Sequence, residues 1–341
     1  DRIIEECRKR DMKVWVLDDN HFPTGNANGA VRNHPELHRA QLVYQTFDVM
    51  GPLADAQLMT PLLDPDEKLL GAVAYRRTED EYDPAGDFTD GERVTGEPVD
   101  LTANVQGRWL YWNVPAGCWR IFYLIVSPRR GVGEWREWYI DMLNPASCRL
   151  LIDAVYEPHY ARYGKLFGTT FMGFFSDEPG WGNCFDKLPT HTTDHGPYYY
   201  KIGTPGLGLP WSDGVLEELT AALGPDALLL LPLLWFRDPS RYPAVRCAYM
   251  DCITRAYERN FTMQIGDWCR AHNVSYIGHI IEDMNASGRM GHGPGHYFRS
   301  LHGQDMAGID IVLHQVLPGL AHYDAAFPCW SANNARFFHY V

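Results

Sequence analysis

Three apolar runs far apart in this chain stop on acidic residues: "KVWVLDD" at 13–19, "TTFMGFFSDE" at 169–178 and "VSYIGHIIED" at 274–283. A fourth run, "GIDIVLHQV", carries Asp310 and His314. Each has the length and the β-branched and aromatic content of a short buried strand. Helical patterns separate them, so the strands have to run parallel. In a parallel arrangement all C-terminal ends point to one face, which gathers Asp18, Asp19, Asp177, Glu178, Glu282, Asp283 and Asp310 on a single rim. The pattern predicts an α/β fold of the (β/α)8 barrel type, whole or partial.

Along the chain three zones are expected. Residues 1–40 hold an amphipathic helix, a buried strand and the turn-rich "NHFPTGNANGAV", the start of the barrel. Residues 41–130 contain "QLVYQTF", "LLGAVAY", "RWLYWNV" and "CWRIFYLIV", with no helical pattern from 95 to 127. This reads as an antiparallel β insertion, with a hairpin turn at Pro115 to Gly117. Residues 131–341 carry the remainder of the barrel, opening with Asn144 as helix N-cap and Pro145 at the first helical position. A loop rich in Gly, Pro, His and Tyr over 180–213 is long enough to cover a site. The chain opens inside a helical pattern and stops abruptly, so it is expected to be part of a longer protein.

A net charge of −13 argues against a nucleic-acid partner, because phosphate binding needs a basic surface. The longest apolar run, "ALLLLPLLWF", falls short of the roughly 20 residues that span a bilayer. Eight scattered cysteines include no Cys-x-x-Cys pair and read as free thiols.

Two carboxyls facing one cleft suit glycosidic bond hydrolysis: one protonates the leaving oxygen while the other activates water or attacks the anomeric carbon. Of the 11 Trp and 19 Tyr, several lie in loops, among them Trp181 and Trp211, where rings stack on sugar faces. Adjacent strand residues point to opposite faces, so only one of Asp177 and Glu178 faces the cleft. Pro179 biases Glu178 towards an extended backbone. Asp18 and Asp19 either meet substrate or cap the following loop, and His279 is either a core histidine or a ligand for a sugar hydroxyl. Two other readings compete. One is a metal-dependent hydrolase with Asp18, Asp177, His279 and Asp310 as ligands; the other is a carbohydrate-binding protein without catalysis.

The segment "MKVWVLDDNHFPTGNANGAV", together with "GFFSDEPGW", "WCRAHNVSYIGHIIED" and "MAGIDIV" in that order, resembles the glycoside hydrolase family 106 α-L-rhamnosidases. The family has Asp-Glu where this chain has Asp18 and Asp19, Trp where it has Phe22, and Pro where it has Ala307. The resemblance implies a (β/α)8 barrel and an inverting cleavage of a terminal sugar, α-L-rhamnose first, assisted by calcium. Hard oxygen ligands at the rim and the absence of thiol pairs agree with calcium over a softer metal. Carried over by position, Glu178 is the general acid and Glu282 the general base. Asp18, Asp19, Asp177, Trp181, His279 and Asp310 are then the expected contacts to the carbohydrate substrate.

Overall fold

The computed structural model describes residues 1–77, 92–132, 138–182, 201–280 and 293–308. Glu282, Asp283, Asp310 and most of the 180–213 loop lie outside the described residues.

Among the described residues ten strands occur in chain order: β1 (Val14–Leu17), β2 (Ala40–Met59), β3 (Lys68–Arg76), β4 (Thr95–Asp100), β5 (Val105–Gln106), β6 (Trp109–Ser127), β7 (Phe171–Ser176), β8 (Leu209–Trp211), β9 (Ser275–Gly278) and β10 (Met306–Ala307). They form two sheets. One is four-stranded in the order β1-β7-β9-β10, and all its pairings are parallel. The other is antiparallel, in the order β4-β3-β6-β2-β8, with β5 added to β6.

The described architecture is thus a mixed α/β fold and not the expected (β/α)8 barrel. The parallel sheet has four strands among the described residues and stays open at β1 and β10. Between β1 and β7 the chain builds most of a second sheet, whose one face (Val73, Tyr75, Phe122, Leu124) joins the core of the parallel sheet while the other (Ala72, Ala74, Ile121, Tyr123) closes a core of its own, so these strands are not barrel strands. Parallel sheets are ordinarily covered on both faces. Here one face is sealed by helices, while Trp15 (39% exposed) and Leu17 (38%) remain open on the other among the described residues.

Helices α1 (Arg2–Lys9), α2 (Pro145–Leu151), α3 (Glu157–Tyr163), α4 (Val215–Leu223), α5 (Ala227–Leu230), α6 (Tyr242–Tyr257), α7 (Met263–Ala271) and α8 (Tyr297–Leu301) complete the described fold. Asn144 caps α2 by accepting the Ala146 N–H at 2.9 Å, and Pro145 follows at the first turn, where its missing N–H costs nothing. Single π turns, Ile152–Tyr156 and Glu258–Thr262, join α2 to α3 and α6 to α7. The first stands just ahead of Pro158, which cannot donate to the preceding turn. These helices seal the covered face of the parallel sheet. Phe174 of β7 meets Tyr156 with ring centroids 4.2 Å apart and Trp268 of α7 at 6.1 Å. Full burial of a ring such as Phe174 contributes about 1.5–3 kcal/mol.

The turn expected at Pro115 to Gly117 is absent. β6 runs straight through it and pairs along the whole of β2, with Leu53 opposite Val114 and Gly51 opposite Gly117. Pro115 and Ala116 have no partner in that register, so the Pro-Ala-Gly sequence makes a bulge, with Gly117 at φ 111°. β2 is irregular at the same level, next to Pro52. A turn signal on one strand became a bulge because its partner continued alongside.

The cysteines Cys7, Cys118, Cys148, Cys247, Cys252 and Cys269 are free thiols. No helix among the described residues is long and apolar enough to cross a membrane.

Candidate active site

β1 and β7 lie side by side with Leu17 opposite Phe175, so their polar C-terminal ends emerge together. Asp18 follows β1 and is fully buried there. Its Oδ1 accepts the Thr24 hydroxyl at 2.7 Å. Its Oδ2 accepts the Tyr156 hydroxyl at 2.7 Å and the Ser176 hydroxyl. The Tyr276 hydroxyl of β9 donates in turn to Ser176 Oγ at 2.9 Å. One carboxyl therefore ties together β1, β7, β9 and the helical layer. Burial pushes the Asp18 carboxyl up to about 7, against the three hydroxyl donors that favour its charge, and the neighbouring Asp19 adds to the rise.

Asp19 points into the following loop. Its Oδ2 accepts the backbone N–H groups of Gly25, Asn26 and Ala27 at 2.9, 2.6 and 2.9 Å. Its Oδ1 accepts those of Asn28 and Asn20 at 2.7 and 2.8 Å. This is a nest of N–H groups closed on an internal anion, and Asp19 organises the 20–28 loop. Gly25 is required beside it. A Cβ there would lie 2.1 Å from the Tyr139 ring, and φ is 141°.

The 20–28 loop in turn holds the acidic turn after β7. The Thr24 N–H donates to the Asp177 carbonyl at 2.7 Å, and the Asp177 N–H donates to Thr24 Oγ1 at 2.9 Å. Farther along, Arg39 donates to the Trp181 carbonyl. Between these two anchors Glu178 takes φ 46°, in the left-handed region. That corrects the extended backbone expected before Pro179. The anchors fix both ends of the turn, and the left-handed residue between them costs about 1–2 kcal/mol. Such conformations persist where surrounding contacts over-determine them, and they concentrate at functional sites.

Asp177 has 28% of its side chain exposed, and its Oδ1 lies 3.1 Å from His279 Nε2. His279 follows β9, is buried, and places its Nδ1 3.3 Å from the Ile280 carbonyl. The structure thus brings Asp177, Glu178 and His279 together at the ends of β7 and β9. Asp18 and Asp19 lie beneath them, committed to protein donors. Trp181 is 4% exposed and packs edge-on against Tyr257 at 6.2 Å, inside the core. Glu282 and Asp310 lie outside the described residues.

Thr24, Arg39, Tyr156, Ser176 and Tyr276 build this rim without having stood out in the sequence. Nothing marks a serine at a strand end, or a tyrosine in a helix, as partner to a carboxyl more than 100 positions away.

Cation binding needs oxygen ligands with open lone pairs. Asp18 and Asp19 instead accept hydroxyls and N–H groups. Among the described residues no group of three or more His, Cys, Asp and Glu is arranged to hold a metal ion.

No protein-family model matches the chain, and no curated protein sequence does. A solved structure, the rhamnosidase from Novosphingobium sp. PP1Y, is similar over 89% of this chain, with a TM-score of 0.56 and 10% sequence identity. The fold is rhamnosidase-like. The chain spans 42% of the length of that rhamnosidase. At this identity the likeness is one of fold.

Proposed function

We propose that this protein is a glycoside hydrolase acting on a terminal sugar, with an α-L-rhamnoside as the leading substrate. The observation that carries the proposal is Glu178 in a strained, doubly anchored turn at the C-terminal end of a parallel strand, within a rhamnosidase-like fold. Glu178 is the general acid in this reading. Asp177 is held by His279, and its charge beside Glu178 favours the protonated acid that cleavage requires.

Glu282, four residues beyond the end of β9, is the proposed general base that activates water. Inversion requires the two carboxyls to stand about 6.5–9.5 Å apart, whereas about 5–5.5 Å would make the second a nucleophile and the enzyme retaining. Asp18 and Asp19, committed to protein donors, do not fit a calcium ion, and no step is routed through one. Asp18 and Asp19 serve as supports that set the height of the rim.

The test is a panel of 4-nitrophenyl glycosides, α-L-rhamnoside first, assayed with and without chelator. Turnover of one glycoside supports the reading. Sugar binding with no turnover anywhere in the panel sinks it in favour of a carbohydrate-binding role.

A further inference from the structure

A cavity of about 830 Å³ lies away from the Glu178 turn, between the first residues of β2, the adjoining ends of β3 and β6, and one side of α4. Its size falls in the range of small-molecule sites, about 300–1,000 Å³. The floor is apolar, made by side chains of β3 and β6 together with Trp211. Around it stand Asp141, Asp213, Glu217, Lys68 and Thr220.

Asp141 is 7% exposed and pre-positioned: its Oδ1 accepts the Leu143 N–H at 2.9 Å, and it is hydrogen-bonded to the Ser212 hydroxyl. The side chains of Asp213, Glu217 and Lys68 are exposed and have no hydrogen-bond or ion-pair partner among the described residues. Charged groups of both signs therefore line an apolar-floored cavity, three of them without a protein partner among the described residues.

We propose that this cavity is a second ligand site, and that its ligand is a neutral sugar. Glu36, Asp141, Asp213 and Glu217 against Lys68 exclude an anion, and the apolar floor of Leu70, Val126 and Trp211 calls for a ligand with a C–H face, which a bare cation lacks. A sugar hydroxyl both donates and accepts, so one ring can use carboxylates and ammonium together while its C–H face covers the apolar floor. The site is one wall away from the acidic turn. Ala40, Asp141 and Trp211 also line a small void whose far side is Arg39, Gly180 and Trp181. This proposal does not rest on hydrolysis.

The experiment titrates methyl α-L-rhamnoside, methyl β-D-glucoside and glucosamine into Glu178→Gln protein by ligand-observed NMR. At least one neutral glycoside is expected to bind saturably, with Kd on the order of 1 mM. Thr220→Trp, which fills the cavity, removes that binding. The exposed double change Asp213→Asn with Glu217→Gln weakens it about tenfold or more, as loss of charged hydrogen bonds does. Unchanged affinity and stoichiometry in both variants overturns the proposal, as does binding of glucosamine alone or of no sugar. Saturable binding that Thr220→Trp removes and the double change weakens, in a protein that hydrolyses no glycoside, upholds this site while removing the catalytic reading.

Discussion

Replacing Asp18 by asparagine isolates the electrostatic cost of the carboxyl that ties β1 to β7. The carboxyl is raised from its ordinary 3.8 to about 7 by burial, a separation of about three pH units. At about 1.36 kcal/mol per unit, ionising Asp18 in the folded protein costs up to about 4 kcal/mol more than ionising it in the unfolded chain. The raised value fixes the sign. The contribution to stability is fully present below pH 4, declines as pH rises, and is lost by about pH 7 and above. Between pH 5 and pH 8 the loss is about 3 kcal/mol. The asparagine side chain is close to the protonated carboxyl in shape and hydrogen bonding, keeping an oxygen for Tyr156 and Ser176 and turning an N–H towards Thr24. The Asp18→Asn variant should therefore exceed the parent by about 1.6 kcal/mol at pH 5 and by about 4 kcal/mol at pH 8, a gain of about 3 kcal/mol between the two. Urea unfolding of both proteins at the two pH values measures this, and every other titrating group cancels in the comparison. A stability difference that stays constant, or that moves against the variant as pH rises, refutes the reasoning. It would mean that the three hydroxyl donors outweigh desolvation.

Thr24→Val removes the hydroxyl that donates to Asp18 and accepts from the Asp177 N–H. It should cost about 1–3 kcal/mol in urea unfolding, the penalty for stranded buried polar groups, and a loss under about 0.5 kcal/mol contradicts that role. Glu178→Asn should raise stability by up to about 1 kcal/mol while removing turnover, because asparagine enters the left-handed region more readily than glutamate. A thermal midpoint below the parent's would show that the turn is not strained.

Three parallel strands, β1, β7 and β9, were legible because each is an apolar run bounded by polar residues, and their shared rim followed from their common direction; the fourth, β10, lies at Met306–Ala307, ahead of the run expected to form it. Asn144 and Pro145 declared the start of α2. The barrel was not legible as absent. Closure depends on how many strands join one sheet, and short apolar runs do not state their neighbours. The bulge at Pro115 was misread as a turn because a local signal says nothing of what β2 does alongside. At the site, carboxylate position could be read, but not the donors that meet it. Asp19 is committed to five backbone N–H groups, an arrangement set by the fold of the 20–28 loop. Trp181 could have faced a sugar, and only the packing of Tyr257 against it shows a core residue.

The claim that Glu178 protonates a departing glycosidic oxygen is tested most directly by leaving-group dependence. Parent protein and Glu178→Gln are assayed on 4-nitrophenyl α-L-rhamnoside, whose leaving group departs without a proton, and on an alkyl α-L-rhamnoside, whose leaving group needs one. The account predicts that the substitution lowers kcat/KM on the alkyl glycoside by about 100-fold or more, with a much smaller loss on the nitrophenyl substrate. Equal losses on both, or near-parental turnover of the alkyl glycoside by the variant, would contradict it.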